Sequence, residues 1–281
     1  MISTARQLKA NICNLAKEKS TDAQFLMRTY MMERLLERIS LSQYKDVFIL
    51  KGGVLIASLV GLDFRSTMDI DTTINGIDLN MINLERIMEQ IFTVPIEDGV
   101  LFKIKRIEQI MDEAEYPGMR VSMQALFDRT ITPLKVDIST GDAVTPAAIQ
   151  YAYKLMFEDR HIQIMSYSIE TVLAEKLETI VRRHLTNTRM RDFYDIYILK
   201  KRYESNISKQ LLQDALEKTA QLRGSKKFLE QASPALNEIE NSEYMKNLWL
   251  SYQSHHEYAR NISWNAVMEA VKTLFPECPN Q

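Results

Sequence analysis

The chain is 281 residues long, 46% hydrophobic and 26% charged, with a net charge of −2, two cysteines and eight glycines. That apolar fraction supports a buried core and excludes wholesale disorder, while the near-zero charge excludes a polybasic tail as an anchor for nucleic acid, though not a local basic cleft. Cys13 and Cys278 stand near opposite ends, which excludes a disulfide scaffold and fits a reducing compartment. Glycine is scarce, and Gly224 alone lies beyond residue 141, so the two halves are expected to differ in architecture. No apolar run approaches the ~18 residues of a membrane span, and the N-terminus reads as an amphipathic helix rather than a signal peptide. A cytoplasmic protein without a membrane segment is expected.

In chain order, residues 3–39 read as two helices, with Thr21 or Asp22 as N-cap of the second. Phe25, Met32, Leu36 and Ile39 share one face of it. Residues 46–51 form a short buried strand, broken by Gly52-Gly53, and a helix follows to about Gly61. Residues 67–74 alternate as a strand, and 79–92 are helical. Residues 100–110 and 119–127 alternate again, with Tyr116-Pro117-Gly118 as the turn before the second, and 134–139 is another strand. Residues 151–157 and 161–166 suit a hairpin around Glu158-Asp159-Arg160. From Ile169 the apolar spacing becomes helical through 169–183, 190–203, 207–221 and 264–275. The expected architecture is α+β: a domain over 1–166 with a helical lead-in at 1–40, then a helical domain over 167–281.

Four pieces of the first half carry chemistry. Lys51-Gly52-Gly53 joins a strand to a helix N-terminus, which suits phosphate, although such a pair is commonly just a tight turn. Asp69 and Asp71 fall on one face of a strand. Two adjacent carboxylates repel, and a hard divalent cation such as Mg²⁺ or Mn²⁺ removes that cost; the plain alternative is a solvated strand face. Asp137 on a later strand completes a three-carboxylate set or acts as base, its plain alternative being a surface pair with Lys135. Arg65 is placed to clamp phosphate or to sit as a surface cation, and Thr67 is expected on the metal-facing side of the same strand as Asp69.

A strand, Gly-Gly opening a helix, Asp-x-Asp on the next strand and a lone later aspartate together resemble the polymerase-beta-like nucleotidyltransferase superfamily. More closely, Lys51-Gly-Gly53, Arg65-Ser-Thr-Met-Asp-Ile-Asp71 and the downstream segment resemble the AbiEii/AbiGii toxins. The downstream segment is Ala174-Glu-Lys176, then Arg189-Met-Arg191-Asp192-Phe-Tyr-Asp195, similar to that family's helical A-x-K and R-D-x-x-D motifs. The resemblance spans about residues 48–199. It implies a nucleotidyltransferase-like mixed sheet flanked by helices and a toxin of a bacterial abortive-infection or toxin–antitoxin system, with a role in phage defence. It implies an NTP substrate, an RNA acceptor at the tRNA 3′ end, and a cognate antitoxin, a DNA-binding repressor encoded alongside. Asp69, Asp71 and Asp137 are then metal and catalytic residues. Lys51, Gly52, Gly53, Arg65, Thr67 and Lys176 are phosphate-binding residues. Lys176 with Asp192 or Asp195 is needed for activity, the plain alternative being a structural ion-pair network. One departure stands out: Val54 follows Gly53 where many nucleotidyltransferases have serine. Other acceptors remain open, a protein or small-molecule hydroxyl, as does a non-catalytic NTP-binding module.

The small net charge conceals a local excess. Residues 176–202 hold eight Lys/Arg against three acids. Arg182, Arg183, Arg189 and Arg191 are therefore candidate RNA contacts, and Lys103, Lys105 and Arg106 form a second basic spot. His255-His256 reads as exposed helix rather than a metal site, and Trp249 and Trp264 read as helical core.

Overall fold

The computed structural model describes residues 2, 4–65, 67, 69–111 and 117–275. The chain divides into two compact units, one of residues 1–141 with 149–166, the other of residues 142–148 with 167–281. In the first unit α1 (Ala5–Glu18) and α2 (Ala23–Leu41) precede β1 (Phe48–Lys51) and α3 (Gly52–Val60). Then come β2 (Ile70–Ile74), α4 (Met81–Phe92), β3 (Leu101–Met111), β4 (Pro117–Phe127), β5 (Thr130–Thr140), β6 (Ile149–Lys154) and β7 (His161–Ser166). Asp22 caps α2, accepting from the Phe25 amide at 2.8 Å, as a short polar side chain does at a helix start.

The strands form one seven-stranded mixed sheet in the order β3-β4-β5-β2-β1-β7-β6. β2 pairs antiparallel with β1 and parallel with β5, and β1 pairs parallel with β7. The β6–β7 hairpin is antiparallel, as its alternation suggests. Strand alternation sorts the faces. Val121, Met123, Ala125 and Phe127 of β4 and Leu134, Val136 and Ile138 of β5 are buried, and the residues between them are not. Pro117 and Gly118 already pair with Met111 and Ile110 of β3, so the turn expected there is strand; Tyr116 lies outside the described residues.

The expected helical lead-in is in fact core. α2 buries Leu26, Met31, Leu35 and Leu36 and also the charged Glu33, Arg34, Glu37 and Arg38. Arg34, Glu37 and Arg38 are ion-paired, as burial of a charge requires. Arg38 holds Asp98 through two bonds of 2.7 and 2.8 Å. Arg34 meets Glu37 and Glu158 at 3.0 Å, and Arg160 meets Glu37 at 2.6 Å. Glu33 accepts the Met156 amide at 3.0 Å, and burial pushes its carboxyl up to about 8.

The second unit is helical: α5 (Ile169–Arg183), α6 (Met190–Tyr203), α7 (Lys209–Leu222), α8 (Lys226–Glu230), α9 (Ala232–Asn241), α10 (Glu243–His255) and α11 (Trp264–Leu274). Residues 142–148 belong to it because Thr145 and the start of α5 bond reciprocally. The Thr171 hydroxyl donates to the Thr145 carbonyl at 2.9 Å and accepts the Thr145 amide at 3.3 Å. Trp249 and Trp264 are buried and pack together with 6.2 Å between ring centroids. His255 is exposed at the end of α10, whereas His256 packs on the Tyr258 ring. Residues 226–255, which form α8 to α10, were not divided into separate helices from the sequence.

Candidate active site

The sheet register builds the first part of the site. Lys51 of β1 pairs with Asp71 of β2, Asp71 with Asp137 of β5, and Asp137 with Arg120 of β4. Directly paired residues point to the same side of a sheet. A charged row, with Asp71 and Asp137 side by side between Lys51 and Arg120, therefore crosses four strands. The core-facing neighbours Ile70 and Val136 are buried on the other side.

The Gly52-Gly53 turn is shaped by side chains of the chain itself. The Gly53 amide donates to Asp71 Oδ2 at 3.2 Å. Gly52 has φ of +63°, and a Cβ there would lie 2.1 Å from Asp71 Oδ2. A Cβ on Gly53 would lie 2.4 Å from Thr67 Oγ1 and 3.5 Å from an Arg65 guanidinium nitrogen. Both glycines are thus needed so that Asp71, Thr67 and Arg65 can close on the start of α3. Arg65 is accordingly buried, not a surface cation. Thr67 lies ahead of β2 rather than in it, with its hydroxyl over the glycine pair and 3.4 Å from the Asp69 carbonyl. Ser66 and Met68 of the same motif lie outside the described residues.

Asp137 is held by Arg120, not by Lys135. Arg120 Nε and Nη2 each donate to one of its oxygens at 2.7 Å. That pair is partly open, with side-chain exposures of 32% and 22%. Arg120 was missed in the sequence because nothing there marks which strand flanks Asp137. Among the described residues no group of three or more His, Cys, Asp or Glu is arranged to hold a metal ion as it stands. The donor chemistry nevertheless suits a hard cation: Asp71 lies in β2 in register with Asp137, and Asp69 stands just ahead of the strand rather than in it.

The second unit carries its own charged cluster. Lys176 of α5 meets Asp192 at 2.6 Å and Asp195 at 2.8 Å, both on α6. The i, i+3 spacing sets both carboxylates on one helix face. Arg189 Nε approaches the other oxygen of Asp192 at 3.2 Å. Burial would raise the Asp192 carboxyl, but Lys176 and Arg189 override it and hold it below its ordinary value. Burial would lower the Lys176 ammonium, and the two aspartates instead raise it. Close by, buried Glu178 accepts from Arg182 at 2.9 Å, Arg223 at 2.6 Å and Ser225 at 2.8 Å. Of the four arginines proposed for RNA, Arg182 and Arg189 are thus in ion pairs, Arg183 is partly exposed, and Arg191 is exposed.

A family model described as "Nucleotidyl transferase AbiEii toxin, Type IV TA system" matches residues 34–271. The chain belongs to this family. It is a nucleotidyltransferase of the toxin class, acting on a nucleoside triphosphate, and the family places it with an antitoxin partner. The match runs well beyond residues 48–199, through the helices of the second unit. No curated protein matches the chain. Among solved structures, MenT4, a nucleotidyltransferase toxin of Mycobacterium tuberculosis H37Rv, aligns with TM-score 0.55 at 12% identity, covering 95% of this chain and 88% of its own. JHP933 from Helicobacter pylori aligns with TM-score 0.48 at 17% identity, covering 90% and 93%. A nucleotidyltransferase-like protein of Paracoccidioides brasiliensis aligns with TM-score 0.38 at 18% identity, covering 72% and 93%. The likeness to MenT4 bears on the fold, an α+β nucleotidyltransferase-like sheet with helices. No helix among the described residues is long and apolar enough to cross a membrane.

Proposed function

We propose that this AbiEii-family toxin transfers a nucleoside monophosphate from an NTP to an RNA acceptor, the tRNA 3′ end, and needs Mg²⁺. The carrying observation is the row in which the Gly53 amide meets Asp71, and Asp71 stands in register with Asp137. It sets a phosphate-binding helix start beside a line of carboxylates, the arrangement that displacement at a phosphorus atom requires. Asp69 and Asp71 would hold the metal ion, and Asp137 would join them once Arg120 releases it. When bound, the ion neutralises phosphate charge and orients the triphosphate.

The chain's own groups do the rest. Lys51, Arg65 and the α3 amides hold the triphosphate, and Thr67 fixes the glycine pair. The acceptor hydroxyl attacks the α-phosphorus, the bond from that phosphorus to the bridging oxygen breaks, and pyrophosphate leaves. In the alternative to joining the metal, Asp137 would take the hydroxyl proton. In the second unit Asp192 and Asp195 fix the ammonium of Lys176, which the family resemblance makes a further residue needed for activity.

The test incubates the purified full chain with Mg²⁺, each α-labelled NTP in turn and total tRNA. Label on RNA that disappears in Asp69→Asn is the expected result. No label on RNA, or equal transfer by Asp69→Asn, sinks the proposal; label on protein instead would favour a protein hydroxyl as acceptor.

A further inference from the structure

In-line displacement fixes where the acceptor must come from: the attacking oxygen and the leaving pyrophosphate lie on opposite sides of the α-phosphorus. The helix start that suits the leaving phosphates stands at the β1–β2 end of the charged row. The acceptor therefore enters from the other end, over β5, β4 and β3. In β4 and β5 the core-facing residues are buried, whereas Ser122, Gln124 and Lys135 point outward and are not.

This outer face is basic. Lys135 pairs in register with Ser122, and Lys103 with Gln124, so both lysines share the side that carries Asp137. Lys105 is the extra residue of a β-bulge between Ile104 and Arg106, which re-aims it. Arg106 is matched by Glu108, and Arg120 by Asp137. Lys103, Lys105 and Lys135 are exposed and have no acidic partner among the described residues. A cavity of about 530 Å³ lies here, lined by Asp69, Lys105, Ser122, Gln124 and Lys135 with Arg28 at its edge. That volume lies within the ~300–1,000 Å³ of small-ligand sites. The cavity thus joins a carboxylate of the proposed active site directly to unmatched cations.

We infer that the outer face of β3–β5 is the binding track for the acceptor RNA strand, with Lys103, Lys105 and Lys135 taking its phosphates. This rests on the nucleotidyl-transfer reading above. Charge complementarity and continuity with Asp69 select RNA: the strand ending in the attacking hydroxyl is a polyanion, and cations along a strand pair track a backbone without reading its sequence. Ser122 and Gln124 add neutral hydrogen-bonding groups.

The experiment measures binding of labelled total tRNA to the full chain across a salt series, together with label transfer from α-labelled NTP. Lys105→Gln with Lys135→Gln should weaken binding about tenfold near 0.1 M salt and flatten the log–log salt slope by about 1.4. The KM for RNA should rise while the KM for NTP stays. Lys226→Gln with Lys227→Gln, on α8, is the control and should bind as wild type. Both lysine pairs are exposed, so thermal melting should match wild type, and a charge-restoring Lys105→Arg, Lys135→Arg chain should recover binding. Wild-type affinity and slope in the glutamine pair, with RNA still labelled, would overturn the track and leave nucleotidyl transfer standing. An equal loss in the α8 control would overturn it too. Label on protein and none on RNA would bring down both readings.

Discussion

Two carboxylate sites in this chain are held by cations, and they differ in what the cation costs to remove. Arg120 grips Asp137 through two bonds, yet both side chains remain partly open to solvent. Lys176 sits between Asp192 and Asp195, whose exposures are 4% and 0%. An ion pair near solvent contributes only about 0–1 kcal/mol and exchanges partners readily. A buried one cannot lose a member without leaving an unpaired charge, at about 3–5 kcal/mol. The Arg120–Asp137 pair can therefore exchange partners at little cost, as the proposed reaction needs, whereas the helical cluster loses a partner only at high cost.

Substitutions can break or sharpen that contrast. Asp71→Asn should have the largest effect on activity, roughly a thousandfold fall in label transfer, because it removes one of the carboxylates proposed to hold the metal ion. Its melting temperature should barely move, since the amide oxygen can still accept from Gly53. Asp195→Asn should invert the pattern. It leaves the Lys176 ammonium with one anionic partner in a buried place, and urea unfolding should show a loss of about 3 kcal/mol. If instead Asp195→Asn melts as wild type and only activity falls, the cluster is catalytic rather than structural.

A glycine pair offers a finer comparison. Gly52 and Gly224 both have φ of +63°, but only Gly52 has Asp71 against its missing Cβ. Gly224→Ala should cost about 1 kcal/mol in a denaturant melt from backbone strain alone. Gly52→Ala should cost more and also depress transfer, since Asp71 must move. Equal effects on both readouts would show that the turn is merely a turn.

pH tests the two regions in a different way. Asp192 lies below its ordinary value and Lys176 above its own. The Asp192 contribution is present above pH 3.8 and fades as pH falls through its lowered value. The Lys176 contribution is present below pH 10.5 and fades as pH rises through its raised value. Between these limits neither Asp192 nor Lys176 should contribute a pH dependence. Glu33 in the sheet unit behaves oppositely, with its carboxyl raised from 4.5 to about 8. The folded state keeps a proton that the unfolded chain has lost, so stability should decline as pH rises from 4.5 to about 8. Urea midpoints measured over that range should flatten in Glu33→Gln.

Much of the architecture was legible in the chain. Strand alternation at 119–127 and 134–139 marked one buried face, and helical spacing from Ile169 marked the all-helical stretch. These signals are local, because period 2 and period 3.6 are set by backbone geometry. α2 was harder. Its Glu33, Arg34, Glu37 and Arg38 look like a solvated face and are buried, since the partners Asp98, Met156, Glu158 and Arg160 lie far along the chain.

The sequence by itself determined the residue types of two candidate clusters: Gly52-Gly53, Asp69, Asp71 and Asp137 on or beside strands in the first unit, and Lys176 with Asp192 and Asp195 at helical spacing in the second. Tertiary structure decided who meets whom. Strand order placed Arg120 on Asp137, register set Asp71 beside it, and the close approach of Asp71 and Thr67 gave each glycine its reason. It also showed that part of the basic run at 176–202 is matched in ion pairs, while the lysines of β3 and β5 stand unmatched beside Asp69. Charge counts along a chain cannot reveal that, because neutralisation acts over a few ångströms of space and not over residues of sequence.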